Sequence, residues 1–367
     1  MTQPQGANGV SVTQLRLRQF RSHNRFDLDV DPRPVAIYGA NGAGKTNILE
    51  ALSLLSPGRG LRRAKMADMA LQGGSGDWSL SYGLDIAGDL RDITCHSAGG
   101  AARQLRIDDK AASQLQLGGL LRVLWLIPAM DRLWLEGAEG RRRFLDRASL
   151  SFHPAHAEAS LTYERAMRER NRLLRDQVQE GAWYKALESQ MAEAAVKIEA
   201  HRRDTLDRLR AQQADDDPDF PAADLTLHYE TPFDGADLAA QMADNRRADL
   251  AAGRSLIGPH RADLLARYRA KDMAAKDCST GEQKALLLSL ILANARALRA
   301  DTGRAPLLLL DEVAAHLDPN RRARLYDQIA QDGTQAWMTG TDPALFDTLG
   351  PRAQFFELCA DGLIAHP

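Results

Sequence analysis

Gly39-Ala40-Asn41-Gly42-Ala43-Gly44-Lys45-Thr46 is the stretch on which the fold of this chain turns. Glycine, four variable positions and then Gly-Lys-Thr is the spacing of a loop that cradles phosphates. The glycines let the backbone curl so that successive N–H groups point inward at phosphate oxygens. Immediately before it, Val35-Ala36-Ile37-Tyr38 reads as a short apolar strand. Immediately after it, 46–55 reads as a helix with Ile48, Leu49, Leu52 and Leu55 on one face. A helix N-terminus at this point adds the positive end of its dipole to the loop. The spacing therefore assigns Gly39, Ala40, Asn41, Gly42, Ala43 and Gly44 to the phosphates of ATP. Lys45 is placed to reach the β- and γ-phosphates, and the Thr46 hydroxyl to ligate Mg²⁺.

Far down the chain, Leu307-Leu308-Leu309-Leu310-Asp311-Glu312 is an apolar run ending in two acids. A central parallel strand delivers residues to its carboxyl edge in this way. Asp311 is placed to hold Mg²⁺ through water, and Glu312 to polarise the attacking water as general base. Ser279-Thr280-Gly281-Glu282-Gln283-Lys284 opens a strongly apolar helix over 281–298. Ser279 is a good N-cap and Gly281 permits close approach, so this helix start can clamp a γ-phosphate. Taken alone it is only a capping motif. Between a P-loop and an Asp-Glu strand it reads as the signature of ABC-type ATPases, and Leu317-Asp318-Pro319 follows where their D-loop is expected.

Outward from these motifs, 10–30 alternates apolar and polar residues as two strands of an antiparallel pair. Short strands follow at 78–86, 92–96 and 103–107 between glycine-rich turns. From 140 to 210 apolar residues recur at helical spacing, among them Leu145, Leu161, Leu173, Met191, Ile198 and Leu209. Pro154 and Gly181 break this stretch into a short helix and a long helical hairpin. Strands are expected at 225–229, 264–269 and 335–338, and a helix at 321–329. The run Asp215-Asp216-Asp217-Pro218 reads as a solvated loop. His260 is taken as a satisfied structural histidine, and the five tryptophans as core residues.

The bulk numbers narrow the class. Of 367 residues, 44% are apolar and 26% charged, a soluble globular composition with room for a sizeable core. The longest apolar runs are far too short to cross a bilayer, and 1–12 lacks a secretory signal. Three cysteines without metal spacing fit reduced thiols in a cytoplasmic protein. A net charge of −2 provides no whole-molecule attraction for nucleic acid, so DNA contact requires a local basic patch.

Further blocks, in a fixed order, resemble the RecF family within the ABC/SMC class. They are Leu17-Arg18-Gln19-Phe20-Arg21-Ser22, the P-loop with Asn41 and Asn47, Arg141-Arg142-Arg143-Phe144-Leu145-Asp146, Arg170-Asn171-Arg172-Leu173-Leu174 and Gly258-Pro259-His260-Arg261. The resemblance adds Asn47 to the nucleotide contacts and puts Thr341 where transporters of the ABC class carry a histidine. It implies an α/β, bilobed ATPase head, with a P-loop α/β lobe over 1–125 and 304–367 and a mainly helical lobe over 126–303. It also implies ATP-dependent homodimerisation, binding of duplex or gapped DNA, and work with RecR and RecO to place RecA at gaps. Arg141, Arg142, Arg143 and Arg172 are the candidate DNA contacts, although interleaved acids also fit a solvated helix face.

The chain departs from the family pattern at Glu282 and Lys284, where Gln and Arg are usual, and no Q-loop glutamine is evident at 127–131. These departures favour a slow, switch-like ATPase. Two rival classes are a membrane-coupled transporter subunit and an SMC- or Rad50-type structural ATPase. The absent histidine speaks against the first. The short hairpin speaks against the second, whose coiled coils are very long.

Overall fold

In the computed structural model, residues 9–213, 217, 219–359 and 362–366 are described. The chain divides into two compact units. The first holds 1–131, 217–220 and 287–367, and the second holds 132–216 and 221–286. The sequence expectation put the divisions at 125/126 and 303/304. The second division instead falls inside one unbroken helix, which no turn residue in the sequence marks.

The first unit opens with β1 (Val10–Phe20), β2 (His23–Asp29) and β3 (Val35–Tyr38), followed by α1 (Lys45–Ser53). Then come β4 (Trp78–Ile86), β5 (Asp89–Ser97), β6 (Gln104–Ile107), β7 (Lys110–Ala111), α2 (Gln114–Leu120) and β8 (Val123–Leu126). One sheet has the order β2-β1-β4-β5-β6-β7 and is antiparallel throughout. Strict alternation of buried and half-buried residues along β4 shows one face turned to the core.

The second unit contains α3 (Ala138–Phe152), α4 (Ala155–Arg175) and α5 (Gly181–Ala211), so the breaks fall at Pro154 and just before Gly181. It continues with β9 (Ala223–His228), α6 (Leu238–Asp244), α7 (Arg246–Ala252), β10 (Asp263–Tyr268) and β11 (Met273–Ala274). The hairpin packs Ala166 and Tyr163 of α4 against Met191, Ala195 and Ile198 of α5. A fully buried Arg170 fixes it to α7, bonding Glu188 at 3.0 Å and Asp249 at 2.7 Å. Three large apolar residues of the hairpin do not face inward: Leu161 is 61%, Trp183 63% and Val196 46% exposed, so Trp183 is not a core residue. The other four tryptophans are buried.

The helix α8 (Thr280–Thr302) leads back to the first unit, which ends with β12 (Leu307–Leu310), α9 (Pro319–Gln331), β13 (Ala336–Gly340), β14 (Gln354–Cys359) and β15 (Gly362–His366). These strands form the second sheet, in the order β15-β14-β3-β13-β12-β8, parallel except for β15. β3, β8, β12 and β13 are buried at every position, as a strand covered on both faces must be. Buried Gln335 joins the two sheets, exchanging bonds of 2.8 and 3.0 Å with the Val12 backbone and donating to Asp31 O at 2.9 Å. Residues 215, 216 and 218 of the acidic run lie outside the described residues. Asp217 is not solvated: 8% of its side chain is exposed, and it faces Arg324 at 3.7 Å.

Candidate nucleotide site

The order β3-β13-β12 builds the site. The β3 strand delivers the chain to Gly39, β12 delivers it to Asp311 and Glu312, and β13 runs between them. In register, Thr339 pairs with Ile37, and Met338 pairs with Leu310. Three carboxyl ends therefore meet at one edge of the sheet, and the residue on the middle strand is Thr339.

The loop itself is held from behind. Gly39 has φ 146°, and a Cβ there would collide with the Leu358 carbonyl. Gly44 has φ 103° and packs under Ser22 and His23, whose Nε2 is 3.2 Å from the Gly44 carbonyl. Burial lowers the His23 pKa, so its ring is biased towards the neutral form. Fully buried Glu50 of α1 takes a two-pronged ion pair from Arg21 at 2.8 and 2.6 Å and a third bond from Arg62 at 3.1 Å. The β1–β2 turn thereby clamps the first helix in place. Ala40, Asn41 and Gly42 stand exposed at the crown of the loop. The side chain of Asn47 is directed elsewhere: it donates to Ser22 Oγ at 2.8 Å and accepts from Arg62 at 2.7 Å.

Lys45 donates to the carbonyls of Gly39 (2.7 Å) and Ala40 (2.8 Å). Burial lowers its pKa, opposed by the negative charges of Glu312 and Asp311. Thr46 Oγ1 donates to Asp311 Oδ1 at 2.9 Å, and buried Thr339 Oγ1 donates to the same oxygen at 2.7 Å. Thr339 Oγ1 also accepts the Glu312 N–H at 3.0 Å. Glu312 sits at φ 54°, in the left-handed region where a non-glycine residue is strained. One threonine thus fixes both acids, yet the sequence pointed two residues further on, to Thr341. That residue is exposed past the strand end. The usable signal was a lone hydroxyl inside the apolar run 336–340.

Asp318 caps α9, accepting from the N–H groups of Asn320 and Arg321, both at 3.0 Å. In the second unit, Ser279 and Glu282 form a reciprocal cap: the Ser279 N–H and Oγ donate to one Glu282 oxygen, each at 2.8 Å, and the Glu282 N–H donates to Ser279 Oγ at 3.4 Å. Lys271 pairs with the other oxygen, and these bonds hold the Glu282 carboxyl down to about 2. The space beside Gly281 is open.

The arginine triplet is divided by its partners. Arg141 makes a two-pronged pair with Asp263 at 2.7 and 2.8 Å, and Arg142 donates to the Ala262 carbonyl at 2.7 Å. Arg141 is thus ion-paired inside the protein, while half-buried Arg142 bonds a neutral carbonyl. Arg143 and Arg172 remain exposed, with Glu139 at 2.9 Å and Asp176 at 3.7 Å as their only ion-pair partners among the described residues. His260 is a satisfied histidine, 2.7 Å from Tyr163 Oη and 3.1 Å from Ser255 O, its pKa lowered to about 4 by burial.

A loop of this shape, with paired acids at the end of a parallel strand one place removed in the sheet, defines a P-loop ATPase head. The family described as RecF/RecN/SMC N terminal domain matches residues 11–348. The DNA replication and repair protein RecF of Rhizobium rhizogenes is 47% identical, covering 96% of this chain and 98% of its own length. The RecF protein of Rhizobium meliloti is 45% identical over 97% and 99%. The chain belongs to the RecF family. Among solved structures, the recombination mediator protein RecF with ATP, from the RecFOR pathway, superimposes with a TM-score of 0.84 at 20% identity, covering all of both chains. An SMC head bound to the ScpA winged-helix domain gives 0.57 at 15% identity, covering 97% of each chain. The α/β head expected from the sequence is the fold observed, and RecF relatives of matching length disfavour the transporter and Rad50-type alternatives.

Proposed function

We propose that this chain is an ATP-dependent DNA-binding protein of recombinational and gap repair, in which ATP binding and slow hydrolysis switch a homodimer on DNA. The observation that carries this reading is the hydroxyl-carboxylate cluster of Thr46, Thr339, Asp311 and Glu312 beside the P-loop. The backbone N–H groups of 39–46 and the Lys45 ammonium bind the ATP phosphates, Lys45 exchanging its two loop carbonyls for phosphate oxygens. Thr46 and Asp311 share one hydrogen bond and form the hard oxygen pair that suits Mg²⁺. When bound there, Mg²⁺ neutralises charge on the phosphates. Glu312, aimed by its strained backbone, takes the proton of the attacking water. Ser279 exchanges Glu282 for the γ-phosphate on a second molecule.

Gapped or duplex DNA, RecR, RecO and RecA are proposed as partners through family membership, and the cytoplasm as the location. No helix among the described residues is long and apolar enough to cross a membrane. Mixing two inactive variants tests the composite site. Lys45→Met is expected to abolish ATP binding, whereas Ser279→Arg is expected to bind ATP but neither dimerise nor hydrolyse. A mixed dimer keeps one site with both halves intact and should regain activity. Hydrolysis by the Ser279→Arg protein alone, at the wild-type rate and independent of protein concentration, refutes the composite site.

A further inference from the structure

The free end of the α4–α5 hairpin carries an unusual set of side chains. Trp183, on the first turn of α5, is 63% exposed, while its neighbour Tyr184 is buried under Arg246, whose guanidinium lies 4.9 Å from the ring centroid. An outward tryptophan forgoes much of the 150–250 Å² of burial its ring could provide. Nothing in the helix requires it there, since Tyr184 already fills the inward position.

Cations share this end of the hairpin. Arg175 closes α4, exposed, and its Cγ lies 3.5 Å from where a Cβ on Gly253 would stand. Gly253 is the left-handed C-cap of α7, and exposed Arg254 follows it. Gln177 in the hairpin turn donates to the Leu250 carbonyl at 3.2 Å, which holds α7 against the turn. Arg246 Nη1 lies 4.0 Å from a Cβ placed on Gly181, so the start of α7 adjoins the start of α5. Arg246 is neutralised by Glu188 at 2.7 Å, whereas Arg247 next to it is exposed and unpaired.

Among the described residues, Arg175, Lys185, Arg247 and Arg254 have no ion-pair partner, against the two unpaired carboxylates Glu180 and Asp244. Arg175 suits the C-terminal end of its helix. Lys185, two positions after Trp183, lies on the other side of α5, whereas Arg247 stands on α7 beside the start of α5.

We propose that this hairpin end is a nucleic-acid contact, in which Trp183 stacks on an unpaired base while Arg175, Arg247 and Arg254 hold the adjoining phosphates. The proposal rests on the reading that the chain binds DNA, and it names the part of the DNA engaged: a single-stranded stretch, because a base within a duplex offers no face. Aromatic platforms of this kind accept any base, since every base has a π-face, and flanking cations track the backbone.

The test uses the full chain with a mixed-sequence single-stranded oligonucleotide of about 15 nucleotides and a blunt duplex of equal length. Since Trp78, Trp125, Trp134 and Trp337 are buried, iodide quenching of tryptophan emission reports on Trp183. The single strand should quench that emission and shield it from iodide, and the duplex should not. Trp183→Ala should weaken single-strand and gapped-DNA binding about 5- to 150-fold, with duplex affinity unchanged, and Trp183→Phe should restore most of the loss. Arg175→Gln with Arg254→Gln should lower the single-strand salt slope by about 1.4.

Wild-type affinity of Trp183→Ala for gapped DNA, or unchanged emission with bound oligonucleotide, overturns the proposal while leaving the DNA reading intact. Loss of a protein partner by Trp183→Ala without change in DNA binding also overturns it, making the face a protein-docking site. Absence of all DNA binding by the wild type overturns both.

Discussion

Thr339→Val isolates the part of the site that the tertiary structure alone reveals. Valine keeps the shape of the side chain, so no cavity opens in a position that is 1% exposed, but the hydroxyl is lost. Two bonds go with it: a charge-assisted one of 2.7 Å to Asp311 and one of 3.0 Å from the Glu312 N–H. Asp311 keeps Thr46 at 2.9 Å, while the Glu312 N–H is left without its acceptor. A bond to a charged group contributes about 1.5–3 kcal/mol and an orphaned buried donor costs about 1–3 kcal/mol, so the loss should be about 3 kcal/mol. The share that falls on the Glu312 N–H, about 1–3 kcal/mol, is of the size of the about 1–2 kcal/mol by which its left-handed backbone is disfavoured, so Glu312 is no longer held firmly at φ 54°. Its carboxylate leaves the position from which it takes a proton, and hydrolysis should fall by about 10²-fold, the lower range for removing a general base. ATP affinity should change little, because the P-loop and Lys45 are untouched. Urea unfolding, fluorescent-nucleotide binding and single-turnover hydrolysis measure the three quantities, with Thr339→Ser as the control that keeps the hydroxyl. A Thr339→Val protein with wild-type stability and wild-type turnover refutes the reasoning.

Three further outcomes are expected. Glu312→Gln keeps the shape of the site but removes the proton acceptor, so size-exclusion should show a persistent ATP-bound dimer with longer residence on DNA; normal turnover would exclude Glu312 as base. Replacing Arg143 and Arg172 by Gln should lower the slope of duplex affinity against salt by about 1.8, whereas Arg141→Gln should leave that slope alone and cost about 1–3 kcal/mol in unfolding experiments by stranding Asp263. Burial alone would raise the Asp146 carboxyl, but the Arg202 guanidinium, bonded at 2.7 and 3.0 Å, and His156 bring it down to about 2. A depressed carboxyl stabilises the fold above its unfolded value and loses that contribution as pH falls through the folded one. The stability gap between wild type and Asp146→Asn should therefore close between about pH 4 and pH 2; a gap that persists at pH 2 would separate Asp146 from Arg202.

How much of this was legible in the residues depends on the range over which each signal acts. The phosphate loop could be read because its constraint is local: a backbone that curls around phosphate needs Gly39, Gly42 and Gly44 in one short stretch. The helical hairpin and its breaks at Pro154 and Gly181 followed from periodicity, and the Asp311-Glu312 strand end from an apolar run with an abrupt charge. Strands β8, β14 and β15 escaped notice because four- to six-residue apolar runs look alike in strand and helix.

What only tertiary structure decided was adjacency. Sequence order gives no hint that β13 inserts between β3 and β12, so the choice between Thr339 and Thr341 could not be made without the sheet. Partnership was equally hidden: Arg141 and Arg142 differ from Arg143 only because Asp263 and the Ala262 carbonyl, some 120 positions away, reach the first two. The same holds for Trp183 and Tyr184, adjacent in the chain, of which one is exposed and the other buried. Local chemistry fixes which motifs a chain carries, whereas long-range packing decides which of its charges and rings are left free to meet a ligand.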